Sequence, residues 1–268
     1  SPHISKINER FIFNNNELTD EDLANLFQKV EKINNNKTIT FFEILTACYF
    51  YKAAEYPNNI NLIEAGLFHR FDATNVLKEN LASVICSCSI DHTDWLPKNE
   101  RTIEKIIFEK TSALLNSNII VAKQRNNEIM NCIKDTIAQN SSNKVFFGDD
   151  YSYSINKDDF FVYEDSLSKL KLPMPNVLGQ FQLENISTAI ATIKTLNISN
   201  YKSFAAITIF KRRSKFYIRI LFFKFFKSCK LTLLLTAFIK NIIIKKYNST
   251  FLQNIRFNYI SNKPRCCP

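Results

Sequence analysis

A chain of 268 residues, 46% of them hydrophobic, has enough apolar material for one large domain or one domain and part of a second, which excludes a disordered or fibrous protein. Only three glycines occur, Gly66, Gly148 and Gly179, too few and too scattered for a glycine-rich phosphate loop. The formal net charge of +10 averages two unlike parts: residues 185–268 hold 16 Lys/Arg and no Asp/Glu, so the first 184 residues carry all 25 acids against 19 bases.

Ser1-Pro2-His3-Ile4-Ser5 has neither the basic nor the apolar region of a secretion signal, and no initiator Met. The seven cysteines contain no C-x-x-C pair, so free thiols in a reducing, cytoplasmic setting are expected rather than a zinc frame. Thr19 followed by Asp20-Glu21-Asp22 opens an amphipathic helix reaching about Asn34, with acids at its positive end. Asn34 to Lys37 is a loop. Thr40-Phe41-Phe42-Glu43 has the form of a capping box before a mostly buried helix ending near Tyr56. Residues 60–65 and 82–90 are short apolar runs and are expected as buried strands. Residues 100–115 are helical by periodicity, 118–123 a strand and 126–139 a helix. This alternation implies an α/β fold with a parallel sheet covered on both faces.

From Lys144 to Val162 short alternating runs separated by turn residues predict small antiparallel strands. Pro173 and Pro175 break the chain before a helix over about 182–196. Beyond Tyr201 the sequence has no acid, no glycine and no clean helical or strand period. Its longest apolar block, residues 231–239, is far shorter than the roughly 20 residues a bilayer requires, so no transmembrane segment is expected.

Two side chains stand out chemically. Glu64 closes the first strand and His92 follows Asp91 at the close of the second. In parallel α/β sheets the C-terminal strand edge is where ligands bind, and a carboxylate there suits a hard ion such as Mg²⁺. Each also has an ordinary explanation: a strand-end Glu facing solvent or capping the next helix, a satisfied core or loop histidine. Lys110 taken alone is an ordinary helix lysine.

The wording around these residues resembles the folylpolyglutamate synthase/dihydrofolate synthase family of the Mur ligase superfamily. Glu64-Ala-Gly66-Leu-Phe-His-Arg70-Phe-Asp72-Ala-Thr-Asn75 is similar to that family's E-V-G-L-G-G-R-L-D-A-T-N. Asp91-His92-Thr93-Asp94-Trp95-Leu96 is similar to its D-H-T-x-x-L-G, and Glu109-Lys110 to the start of its E-K-A-G. Ser1-Pro2-His3 with Asn8-Glu9-Arg10 is similar to T-S-P-H-L…N-E-R, and Gly179-Gln-Phe-Gln182-Leu-Glu-Asn185 to L-x-G-x-H-Q-x-x-N. The resemblance covers roughly residues 1–200. It implies Ser1, Glu64 and His92 as metal ligands and Lys110 as the lysine that becomes a carbamate near the metal. It implies Asn185 as an adenine contact and Thr40, Phe71, Asp72 and Ala73 as contacts to the pteridine part of the substrate. The cofactors implied are Mg²⁺ and ATP, and the substrates a folate or dihydropteroate and glutamate. In the implied reaction ATP phosphorylates the substrate carboxylate, and the glutamate amine then displaces phosphate from the acyl phosphate.

The chain departs from the family pattern in three ways. No G-x-x-x-x-G-K-[ST] stretch occurs, and the family's W-P-G-R and D-G-A-H-N-P stretches are also missing. Phe68 and His69 stand where the family has two glycines. The expectation is a truncated or decayed copy. Residues 1–200 would be a Mur-ligase-type central ATPase domain without its P-loop strand and without a C-terminal ligase domain. Residues 201–268 would be a degenerate basic, hydrophobic tail. Such a chain is expected to be monomeric and inactive, as from a pseudogene. The competing expectation is a non-catalytic remnant or binding module whose basic tail touches nucleic acid or a membrane surface, with no specific nucleic acid implied.

Overall fold

The computed structural model describes residues 3–198 apart from 4, 15, 58 and 176–178, and the backbone of four strands at 206–212, 215–221, 232–236 and 241–246. A two-stranded hairpin, β1 (Ile12–Phe13) and β2 (Asn16–Glu17), leads into α1 (Asp20–Asn34) and α2 (Phe41–Ala53). The Thr19 side chain caps α1 by accepting from the Asp22 N–H at 3.0 Å, and Asn35 closes it in the left-handed conformation. The capping box before α2 forms as expected: the Thr40 hydroxyl accepts from the Glu43 N–H, and the Glu43 carboxylate accepts from the Thr40 N–H. Leu23, Leu26 and Val30 recur along one face of α1 and bury against Leu45 and Phe50 of α2, Phe11, Phe13 and Ile63.

The chain continues through β3 (Ile60–Glu64), β4 (Ala82–Ile85), α3 (Ile103–Thr111), β5 (Asn118–Val121), α4 (Asn127–Thr136) and β6 (Asn143–Phe146). A meander follows, β7 (Tyr151–Ile155), β8 (Phe161–Asp165) and β9 (Ser168–Leu172), then α5 (Gln180–Thr195). In the basic stretch come β10 (Ala206–Arg212), β11 (Lys215–Leu221), β12 (Thr232–Thr236) and β13 (Asn241–Lys246). The main sheet has the order β3-β13-β4-β5-β6, with β4, β5 and β6 parallel.

Alternation along the strands sorts the core into two layers. Ile85, Ile119 and Val121 face α3 and α4, where Ile107, Met130 and Ile133 meet them. Ala82, Val84 and Ile120 face α5 and the meander, against Leu183, Ile186, Ala189 and Tyr163. These are the two helical layers expected of a parallel α/β sheet.

Four features differ from the sequence expectation. The strand at 82–90 stops at Ile85. Beyond it the Gln124 side chain substitutes for a ladder: Cys88 N–H donates to Gln124 Oε1 at 2.9 Å, and Gln124 Nε2 donates to the carbonyls of Ala122 at 2.8 Å and Cys86 at 3.3 Å. The backbone can therefore leave the sheet without stranding buried polar groups. The helix at 100–115 is only Ile103–Thr111, because Thr102 caps it by accepting from the Lys105 N–H at 3.2 Å. Residues 143–146 join the main sheet parallel to β5 rather than forming an antiparallel piece, since side-chain alternation carries no information on strand direction. The basic stretch forms strands, and β13 lies antiparallel between β3 and β4, which makes the sheet mixed.

The described cysteines Cys48, Cys86, Cys88 and Cys132 are free. Among the described residues no helix is long and apolar enough to cross a membrane.

Candidate functional site

β3 and β4 both run antiparallel to β13 and so run parallel to each other, which brings Glu64 and Ile85 to the same sheet edge, opposite Ile242 and Asn241 of β13. Two loops leave this edge, residues 65–75 and 86–92. The first is folded around Asp72. Its Oδ1 accepts from the N–H groups of Gly66 at 3.0 Å and Leu67 at 3.4 Å, and its Oδ2 accepts from the Thr74 N–H at 2.9 Å and from the Thr74 hydroxyl. Gly66 is required by close approach: a Cβ there would lie 2.7 Å from the Phe42 ring and 2.8 Å from Asp72 Oδ1. Gly66→Ala is expected to lose about 1–3 kcal/mol by overpacking, measured as a lower urea midpoint at unchanged slope.

The same loop is fastened to the last turn of α3. The N–H groups of His69 and Arg70 both donate to the Glu109 carbonyl, at 3.1 and 3.0 Å. The Arg70 guanidinium grips the Glu109 carboxylate with two bonds of 2.8 and 2.6 Å, and Lys105 Nζ approaches the same carboxylate at 3.3 Å. Phe71 and Phe108 flank the guanidinium, with ring centres 4.1 and 5.2 Å from it. Burial alone would raise the Glu109 pKa, but the bonds to Arg70 and Lys105 outweigh it and bring the group below its ordinary range. His69 is buried between loop and helix. Desolvation lowers its pKa, against the opposing pull of Asp72 and a hydrogen bond to the Ala113 backbone.

The next residue of α3, Lys110, is 3% exposed. Its Nζ lies 3.6 Å from Asp91 Oδ1 and 5.8 Å from the centre of the Phe68 ring. The Phe68 ring also meets the His92 imidazole edge-on at 6.3 Å, and His92 Nε2 is 3.9 Å from Asp91 Oδ2. His92 has φ +53°, a left-handed backbone seldom adopted by a non-glycine residue. Glu64 is half-buried at the end of β3. Its carboxylate acts on Arg10, whose pKa is lowered by burial and partly restored by Glu64. Behind this cluster lie Cys86 and Cys88, pushed up to about 12 and about 11 by burial, with Lys110 opposing the rise at both.

The sequence thus brought Lys110 and His92 into one cluster, with Glu64 at the same sheet edge. Ser1 lies outside the described residues. Thr40 is the exposed cap of α2, engaged with Glu43. Phe71 is 80% exposed beside Arg70, Asp72 is committed to its own loop, and Ala73 after it is half-buried. Asn185 lies in the second turn of α5, next to Glu184, which pairs with Lys123 at 3.0 Å. Asp91, Arg70 and Glu109 were not singled out as site residues from sequence, and Phe68 was noted only as a departure from a glycine. All four lie inside the resembling stretches, but their spacing in sequence does not disclose that they meet.

The implied divalent cation can be tested against these donors. Two carboxylates and an imidazole lie at the edge, yet among the described residues no three His, Cys, Asp or Glu side chains converge on one point. The buried Lys110 ammonium beside Asp91 also repels a cation. As folded, this donor set does not fit a metal ion.

The fold and the edge define the class first: an α/β protein with parallel strands at the heart of its main sheet and its loops gathered at the C-terminal strand edge. Comparison with known proteins gives the particular relatives. The dihydrofolate synthase/folylpolyglutamate synthase of Escherichia coli is 27% identical over 197 residues, 72% of this chain and 44% of the relative. The enzyme of the same name from Haemophilus influenzae is 39% identical over 112 residues, 41% of this chain and 24% of the relative. Among solved structures, Escherichia coli FolC in complex with ADP superposes with a TM-score of 0.60 at 28% identity, over 74% of this chain and 46% of that one. The apo form of L. casei folylpolyglutamate synthase shares the fold, with a TM-score of 0.62 at 23% identity over 73% of this chain and 50% of that one. No family profile matches the chain. By sequence and fold the chain is similar to the dihydrofolate synthase/folylpolyglutamate synthases, and it spans less than half the length of the curated relatives it matches.

Proposed function

We propose that this chain is the substrate-loop and nucleotide-edge portion of an ATP-dependent ligase that joins glutamate to a folate or dihydropteroate, and that the 268-residue polypeptide binds pterin-type compounds without completing the reaction. The observation that supports this best is the loop at 65–75. It is tied to α3 by backbone and side-chain bonds and leaves one large ring, Phe71, facing solvent beside a fixed guanidinium. A flat heteroaromatic ring can stack on Phe71, and Arg70 supplies a cation beside it. By its motif Asn185 would be the adenine contact, and ATP with Mg²⁺ would be the cofactors of the full reaction. The relatives include structures solved with ADP and, for the Yersinia pestis protein, with an ATP analogue and a manganese ion. No step is assigned to a metal here, because the donor set does not close on one.

The single tryptophan, Trp95, is 71% exposed and lies three residues past His92, which makes it a reporter for this edge. Titration of dihydropteroate, and separately folate, is expected to change Trp95 fluorescence saturably. Phe71→Ala is expected to weaken binding about 2- to 10-fold, the range set by one aromatic contact. A fluorescence change that never saturates, or that is indifferent to Phe71→Ala, would remove the basis for this reading.

A further inference from the structure

We infer that Phe68 and the Lys110–Asp91 ion pair form an internal plug, so that the chain fills the cation position at this sheet edge with its own ammonium group and takes up no divalent metal there. The inference rests on reading this edge as the one where the related ligases work. Three observations support it. Lys110 is 3% exposed, with its charge matched by Asp91 at 3.6 Å and its outer side covered by the Phe68 ring at 5.8 Å. The same ring meets His92 edge-on at 6.3 Å, so one side chain borders both the lysine and the imidazole. The backbone carrying Phe68 is anchored on the residue next to Lys110: His69 and Arg70 donate to the Glu109 carbonyl at 3.1 and 3.0 Å, and Arg70 holds the Glu109 carboxylate through two more bonds. Those bonds fix where the Cα–Cβ bond of Phe68 starts, directly beside Lys110.

Sequence explains why this chain differs from the pattern it resembles. Glycines at 68 and 69 would leave the space above Lys110 open. Phe68 fills that space, and His69, 1% exposed, wedges the loop against α3. A divalent ion entering the edge would meet a fixed positive charge and an apolar ring where it needs oxygen ligands and water.

The test uses Mn²⁺ alone as the probe, followed by electron paramagnetic resonance, with no nucleotide or folate present. The wild-type chain is expected to bind no Mn²⁺ saturably up to about 1 mM, the weak end of carboxylate sites. Lys110→Glu, which puts a ligand where the ammonium sits, is expected to gain one saturable site at least about tenfold tighter and a Tm that rises with Mn²⁺. A second measurement does not depend on that variant folding. On treatment with acetic anhydride, Lys110 in the wild type is expected to be among the slowest lysines to acylate by peptide mass spectrometry. In Phe68→Gly it is expected to acylate at least about tenfold faster, with the other lysines unchanged. The inference is overturned by a saturable Mn²⁺ site in the wild type that Glu64→Gln or His92→Ala removes. Acylation of wild-type Lys110 at the rate of surface lysines overturns it too. The Trp95 titration judges the ligase reading separately, so the two can fail independently.

Discussion

Incubated with folate, glutamate, ATP and Mg²⁺, the purified 268-residue chain is expected to release no ADP above a Glu64→Ala control. Phosphoryl transfer leaves little covalent work to the protein. It depends on holding the β- and γ-phosphates, the attacking carboxylate and the charge-neutralising groups in line. A row of backbone N–H groups on a glycine-rich turn normally supplies the phosphate cradle, and no G-x-x-x-x-G-K-[ST] stretch exists in these 268 residues. Removing one preorganised donor from such a site typically costs about 10²- to 10³-fold in rate, and groups that act as a unit fail together. At the opposite side of the edge, Lys110 is paired with Asp91 and covered by Phe68. On the plug inferred above, an ion pair beside an aromatic ring fills space that an open site would leave to the phosphates and the ion. Coupled-enzyme detection of ADP is sensitive enough to decide the matter. Turnover clearly above the Glu64→Ala control would mean that other groups in this chain hold the phosphates, and the proposal of an incomplete ligase would fall.

Much of this edge could be read from sequence because its determinants are local. The caps at Thr19 and Thr40, the apolar runs at 60–65 and 118–123 and the amphipathic helix after Asn126 each encode their own element, and they form within a few residues of where periodicity puts them. The strand ends that carry Glu64 and lead to His92 follow from the same runs. What sequence did not disclose depends on tertiary partners. β4 ends early because the side chain of Gln124, 36 residues from Cys88, takes over its ladder. β6 pairs parallel because β5 offers it an edge, not because of anything in its own alternation. Arg70 and Glu109 are 39 residues apart and meet only because the loop after β3 folds onto α3. Lys110 is legible as a motif residue, but its burial under Phe68 follows from that fold-back.

Arg70→Ala is expected to cost about 2–3 kcal/mol of stability and to release the loop at 65–75 from α3. The Glu109 side chain is 7% exposed, and its charge is held by Arg70 through two hydrogen bonds and by Lys105 at 3.3 Å. Breaking a fully buried pair by removing one partner costs about 3–5 kcal/mol, because the remaining charge stays desolvated. The Arg70 side chain is 33% exposed and Lys105 remains, so the lower figure applies. Arg70→Lys keeps the charge but not the planar fork, so it should lie between wild type and alanine. The pH dependence has a definite sign. Glu109 has its folded pKa depressed below the ordinary value of 4.5. The stability it contributes is therefore fully present above that value and is lost as pH falls through the folded pKa. Wild type should lose stability over that acid window, and Arg70→Ala, in which less of the depression survives, should lose less. The two urea midpoints should therefore lie farthest apart near neutrality and converge in acid. A gap that stays constant from pH 7 to pH 3 would show that Arg70 acts through packing of its stem between Phe71 and Phe108 rather than through its charge.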